Sequence, residues 1–174
     1  MAVAVQEIPG VVADGMVKVA WVLAIANTGA PKLATEIKAA TSVEDITCWI
    51  TNAFTPNAEP QMIEDRRMCS KQTFQSIGTV MWSIEELNYL FDPQNPGSEN
   101  NKVYEAMVDG QIGFLVVGWG KDAEEDWAIG DVVDVFPVEL GPRVPMPPES
   151  NSKLRVKQKP SVIGNVVRDV ALVA

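Results

Sequence analysis

The sequence predicts a mainly β protein, a β-sandwich or barrel of about seven strands flanked by one α-helix. Three observations carry that prediction. Runs rich in β-branched and aromatic residues recur along the chain, bounded by Gly, Pro, Asn and Asp turn signals. Only residues 100–109 combine helical spacing with both a start and a stop signal. Near the C-terminus, Lys153-Leu154-Arg155-Val156-Lys157-Gln158-Lys159 places four cations at alternate positions, which is the period of a strand.

Val17 to Ala26 reads as the first strand, between Asp14-Gly15 and Asn27-Thr28-Gly29. Pro31 to Ala40 has some helical propensity. Ile46 to Thr51, with Trp49, reads as a second strand, and residues 52–61, with Pro56, Asn57 and Pro60, as an exposed loop. Phe74–Ile77 and Thr79–Phe91 flank Gly78 as a hairpin would. Ser83-Ile84-Glu85-Glu86 fits the capping box of a helix start. The two-residue phase of Val80, Trp82 and Ile84, and the opposite phase of Leu87, Tyr89 and Phe91, favour strand with a bulge near Glu85-Glu86.

Asn100 to Asp109 reads as the helix, capped by Ser98 or Asn100, with Val103 and Met107 on one face and Gly110 closing it. Ile112 to Trp119 is an apolar strand. Asp131 to Leu140 is apolar in both phases, as a strand covered on both sides would be, although Pro137 argues for an edge or a bulge. Residues 141–152 form a Pro-rich connector, followed by the cationic strand, with Leu154 and Val156 turned to a core, and by Val162 to Val173. One domain over residues 1–174 accommodates all of this.

Composition excludes much chemistry. Histidine is absent, which removes the usual serine and cysteine triads and the commonest metal ligand. Cys48 and Cys69 are too few for a disulfide scaffold or a thiol-only zinc site and read as core residues. No cofactor motif is present: Gly118-Trp119-Gly120 lacks the third glycine of a dinucleotide fingerprint and reads as a strand end. The opening Met1 to Glu7 lacks the positive region of a secretory signal, and no apolar run reaches the ~18 residues of a membrane span. A protein made in the cytoplasm, with no membrane partner, is the expectation.

Charge is divided unevenly. Residues 142–174 hold six basic and two acidic groups, whereas residues 1–141 hold eight basic and 21 acidic ones, for a net charge of −9 overall. The negative body opposes tight binding of DNA. Glu64-Asp65, Glu85-Glu86 and the loop Asp122, Glu124, Glu125, Asp126 are carboxylate pairs that read as solvated surface, because neighbours on a strand point to opposite faces. The five tryptophans read as core, with a sugar-stacking platform as the alternative. The stripe Lys153, Arg155, Lys157, Lys159 has three readings: a solvated strand face, a nucleic-acid patch, or a seam docking on an acidic surface of another copy, Asp122–Asp126 being the counterpart.

The order of these pieces resembles the tail tube (major tail) proteins of bacteriophages with long, non-contractile tails. The similarity runs through Asp14-Gly15 and Lys18-Val19-Ala20-Trp21-Val22, then Ala30-Pro31-Lys32-Leu33-Ala34-Thr35-Glu36-Ile37. It continues in Arg67-Met68-Cys69-Ser70-Lys71-Gln72-Thr73-Phe74, in the strand bearing Tyr89, and in Asp109-Gly110-Gln111-Ile112-Gly113-Phe114-Leu115-Val116-Val117. Gly130-Asp131-Val132-Val133-Asp134-Val135 and the closing strands complete it. The resemblance implies a β-sandwich or barrel with a flanking helix and no enzymatic activity. It also implies hexameric rings stacked into a virion tube through which DNA passes, with tape-measure, tail terminator and tail tip proteins as further partners.

Overall fold

The computed structural model describes residues 10–174, so the reading of Met1 to Glu7 lies outside the described residues. In chain order the strands are β1 (Val17–Val22), β2 (Pro56–Asp65), β3 (Phe74–Ile84), β4 (Leu87–Leu90) and β5 (Ile112–Trp119). They continue with β6 (Val132–Leu140), β7 (Val144–Pro145), β8 (Arg155–Gln158), β9 (Pro160–Val162) and β10 (Val167–Ala171). The mainly β prediction holds, with ten strands among the described residues in place of about seven.

β1, β5, β6 and β10 form the principal sheet in that order, and β9 also pairs with β6. A smaller sheet runs β4-β8-β7, and β2 pairs with β3 alone. The principal sheet is buried on both faces. Val19, Trp21, Leu115, Val117 and Phe136 meet Leu87, Tyr89 and Val156 of the smaller sheet, together with Val103 of the α-helix α1 (Lys102–Ala106) and Met107 at its C-terminal cap. Ala20, Val22, Val116, Val133 and Val135 face the other way, under Ile37, Trp127 and Leu172. This explains the two-phase apolarity of β6, whose Val133 and Phe136 belong to different cores.

Pro137 sits in β6, which has partners on both sides, opposite Phe114 of β5. Its carbonyl accepts from the Ile163 N–H at 3.0 Å, on the side of β9. A residue's N–H and C=O point the same way in a strand, so the missing N–H falls where β9 has ended and β10 has not begun. The proline occupies a gap in the ladder, not an edge.

Several local expectations are corrected. Residues 46–51 hold a 3-10 turn, Thr47–Trp49, because the Thr47 N–H is bound by Asp45 Oδ1 and its hydroxyl accepts from the Val19 N–H. The helix is a short 3-10 turn, Glu99–Asn101, running into α1, and neither Ser98 nor Asn100 caps it. Asn101 instead clamps Asp92 through both backbone groups, while Val103 and Met107 are buried as expected. Pro31–Ala40 contributes a π-helical turn, Leu33–Ile37, held by Glu36, whose carboxylate accepts from the Ala26 and Lys32 N–H groups at 2.8 and 2.7 Å. The closing strand is split into β9 and β10. Glu85-Glu86 lies between β3 and β4, so the change of phase there marks a change of sheet. Cys48 and Cys69 are both exposed, one in the 3-10 turn and one in the loop after β2.

Candidate assembly interface

Residues 52–61, expected as loop, run into a long and almost wholly exposed strand, β2. β2 and β3 pair from Pro56↔Ile84 to Asp65↔Phe74 and form an arm whose strands bond to no other strand among the described residues. The prolines are tolerated because β2 is an edge strand. Ten residues reach roughly 30 Å at the rise of a strand. The register slips once: Gly78 and Thr79 both lie opposite Gln61, and a Cβ on Gly78 would stand 3.1 Å from the Gln61 carbonyl oxygen.

Cross-strand partners share a face. Pro60, Met62, Ile77 and Val80 therefore form one apolar strip, which continues into Trp82 at the arm's base. Trp82 packs edge-on against Phe136, ring centroids 6.1 Å apart, and anchors the arm in the core. Ile63, Phe74 and Met81 lie on the other face, and every one of the seven large apolar side chains from Met62 to Met81 is exposed. A two-stranded ribbon with both faces in water is marginal alone, and contiguous exposed apolar surface marks an interaction site. At the tip, Arg66, Arg67 and Lys71 surround Met68, which is fully exposed. Arg67 donates from Nε and Nη2 to Asp65 Oδ2, at 3.0 and 2.8 Å.

The acidic loop between β5 and β6 is pinned from beneath. Lys18, buried on β1, donates from Nζ to the carbonyls of Ala123 and Glu125 at 3.0 and 2.6 Å and pairs with Asp45 at 3.4 Å. Trp127 Nε1 donates to the Glu44 carbonyl at 2.6 Å. Asp122 is half-buried and accepts from the Glu124 N–H, Glu125 pairs with Lys121, and Glu124 and Asp126 stand exposed. A buried lysine thus fixes the backbone while carboxylates project from it.

The cationic stripe is a strand only over β8, where Val156 and Gln158 face inward and Arg155 and Lys157 outward, as the alternation requires. Leu154 precedes β8 and is exposed, contrary to expectation. Arg155 pairs with Glu149 at 2.8 Å and Lys157 with Glu86 at 3.6 Å, while Lys153 and Lys159 are exposed. No ion pair within the described residues joins the stripe to Asp122–Asp126. Gln158 was legible only as an inward-facing position: it accepts from the Tyr89 hydroxyl at 2.9 Å and donates to the Gly141 carbonyl at 2.8 Å. Burial pushes the Tyr89 phenol above its usual range.

The tryptophans do not share a platform. Trp21 and Trp127 lie in cores on opposite faces of the principal sheet, Trp49 and Trp82 are half-buried, and Trp119 donates to Asp134 at 2.9 Å. Glu64 and Asp65 point to opposite faces of the arm, and no group of carboxylates or thiols with metal-binding spacing occurs among the described residues. Sequence reasoning found the β3 half of the arm as strand but missed β2, because Pro56, Asn57 and Pro60 mask an alternation that Ala58, Pro60 and Met62 continue.

No curated protein matches the chain. The family model of phage tail tube proteins matches residues 5–174, arm, acidic loop and stripe included. The chain belongs to this family of structural, non-enzymatic proteins of the virion tail.

Proposed function

We propose that copies of this chain, made in the host cytoplasm, close into rings of six that stack into a hollow tail tube, a conduit for DNA. Six is the ring size that the likeness to tail tube proteins implies. The observation that carries self-association is the arm: about 30 Å of two-stranded ribbon with an apolar strip, rooted in the core at Trp82 and Ile84 and with its large apolar side chains from Met62 to Met81 exposed. The strip needs a cover, and another copy supplies one.

DNA passes such a tube without specific binding because the copies carry a net charge of −9. A tape-measure protein inside, and terminator and tip proteins at the ends, complete the proposed partners. The stripe of one copy and the acidic loop of another form a charge seam in this proposal, with Lys153 and Lys159 as the unpaired cations. Exposed pairs contribute only ~0–1 kcal/mol each, so the seam sets register while apolar burial drives association. No observation favours the glycan-binding reading. Electron microscopy of the concentrated protein is expected to show rings or tubes. A strictly monomeric species under those conditions overturns the proposal.

A further inference from the structure

We propose that the arm tip of one copy docks in the hollow beside Trp119 of a second copy, with Met68 as the knob. This rests on the tube reading and names the contact through which copies join. The hollow, about 290 Å³, is walled mainly by apolar side chains, Val17, Val19, Ile50, Phe54 and Trp119 among them, with Thr47 and Asn52 as its polar members, and it opens at the surface. It has room for a large unbranched side chain. Met68 is such a side chain, fully exposed at the end of the arm and adaptable enough to fill an irregular gap.

The arm cannot fill its own hollow. β2 starts at Pro56, two residues after Phe54 in the hollow's wall, and carries the tip roughly 30 Å away. The occupant must come from another copy.

Charge fits the same pairing. Ala123 forms a common wall between the apolar hollow and a second one of about 260 Å³, lined by Glu44, Glu124 and Asp126. Lys18 also reaches this second hollow, but its ammonium is committed to two carbonyls and Asp45. On the tip, Arg66 and Lys71 flank Met68 and make no ion pair among the described residues. Seating Met68 therefore lays two uncommitted cations along an acidic rim, complementary in sign, so that Glu124 and Asp126 face the tip and Asp122 and Glu125 are the carboxylates the loop leaves to the stripe. The knob and the hollow are different surfaces, so the contact is head-to-tail and propagates from copy to copy, as a ring or a stack requires.

The two native cysteines report on this contact. Cys69 follows Met68 on the tip, and Cys48 lines the acidic hollow, next to Thr47 in the wall of the apolar one. Docking brings the two thiols within reach of a short bis-maleimide, which adds one thiol at each end. Assembled full-length protein treated with this reagent is expected to give a ladder of linked chains with Cys48–Cys69 as the linked peptide. Mixing Cys48→Ser with Cys69→Ser protein should give linked dimers and no higher species, which makes the link intermolecular. Met68→Asp changes an exposed residue and should fold normally by circular dichroism. It should reduce the link at least tenfold and raise the concentration at which assembly begins by roughly tenfold, the scale of losing one buried apolar side chain. Arg66→Glu with Lys71→Glu should act in the same direction, and Glu124→Lys with Asp126→Lys should restore it. Tubes without a Cys48–Cys69 link, or Met68→Asp assembling at the wild-type concentration, overturn this contact and leave the tube reading standing. Failure of the wild-type protein to assemble overturns both.

Discussion

Gly113 lies against the Trp21 indole, where an added Cβ would stand 2.5 Å from Cη2 and 2.9 Å from the Val22 carbonyl oxygen. Trp21 is fully buried and cannot retreat without disturbing the larger core. Gly113→Ala is therefore expected to cost about 1–3 kcal/mol through overpacking, read as a fall of the thermal midpoint of the unassembled protein. An unchanged midpoint would mean that the ring has space to move. Tyr89→Phe tests the buried pair on the other side of that core. Removing the hydroxyl leaves Gln158 Oε1 without its donor, a loss of about 1–3 kcal/mol. The double variant Tyr89→Phe with Gln158→Leu should recover none of it, since the leucine also takes the donor away from the Gly141 carbonyl. Alternation made the inward position of Gln158 readable from the sequence. Its partner was not readable, because Tyr89 lies 69 residues away and pairing across that distance is a product of the sheet, not of local pattern.

The strands that could be read were those with an uninterrupted apolar run: β1, β5 and β6 all appear within a few residues of their expected bounds. The β2 half of the arm was not legible, although β3 was, because its physics runs against the rule that strands are half-buried. Its apolar residues face solvent within one chain, and Pro56 and Pro60 read as loop unless the strand is known to be an edge. Removing the arm separates fold from assembly. Ala58 and Trp82 are direct partners, so replacing residues 59–81 with an Asn-Gly turn closes a shorter hairpin in register and keeps the Trp82 anchor. This variant should keep its near-ultraviolet circular dichroism and remain monomeric in sedimentation at concentrations where the wild type assembles. Wild-type assembly without the arm would remove the arm from the interface. Arg155→Glu with Lys157→Glu is the contrasting change. Its two cations already have partners, Glu149 and Glu86, so the onset of assembly should move by no more than a few-fold. A complete loss of rings in that variant would make the stripe, and not the arm, the principal contact.

At the scale of the whole molecule two electrostatic effects oppose each other, and their ranges decide the outcome. Each copy carries −9, so copies approaching at a distance repel. The proposed contacts are local and opposite in sign: Arg66 and Lys71 on the tip against Glu44, Glu124 and Asp126 at the hollow. The fold class was legible because it depends on patterns inside one chain. Apart from the family resemblance, the assembly was legible only as a charge imbalance, because in the proposed contact the surface that covers the arm belongs to another copy. Screening separates the two effects. The Debye length falls from about 30 Å at 0.01 M salt to about 10 Å at 0.1 M, which removes repulsion between whole copies but leaves pairs in contact largely intact. Assembly followed by light scattering should therefore rise from 0.01 to 0.1 M sodium chloride. Toward 1 M, where the screening length reaches about 3 Å, the tip pairs weaken while apolar burial persists, so the signal should level off or fall modestly. Arg66→Glu with Lys71→Glu should abolish that high-salt decline and leave the low-salt rise in place. A wild-type signal that keeps climbing to 1 M would show that apolar burial alone holds the copies together, and a steady decline from 0.01 M would show that net repulsion never limits their approach.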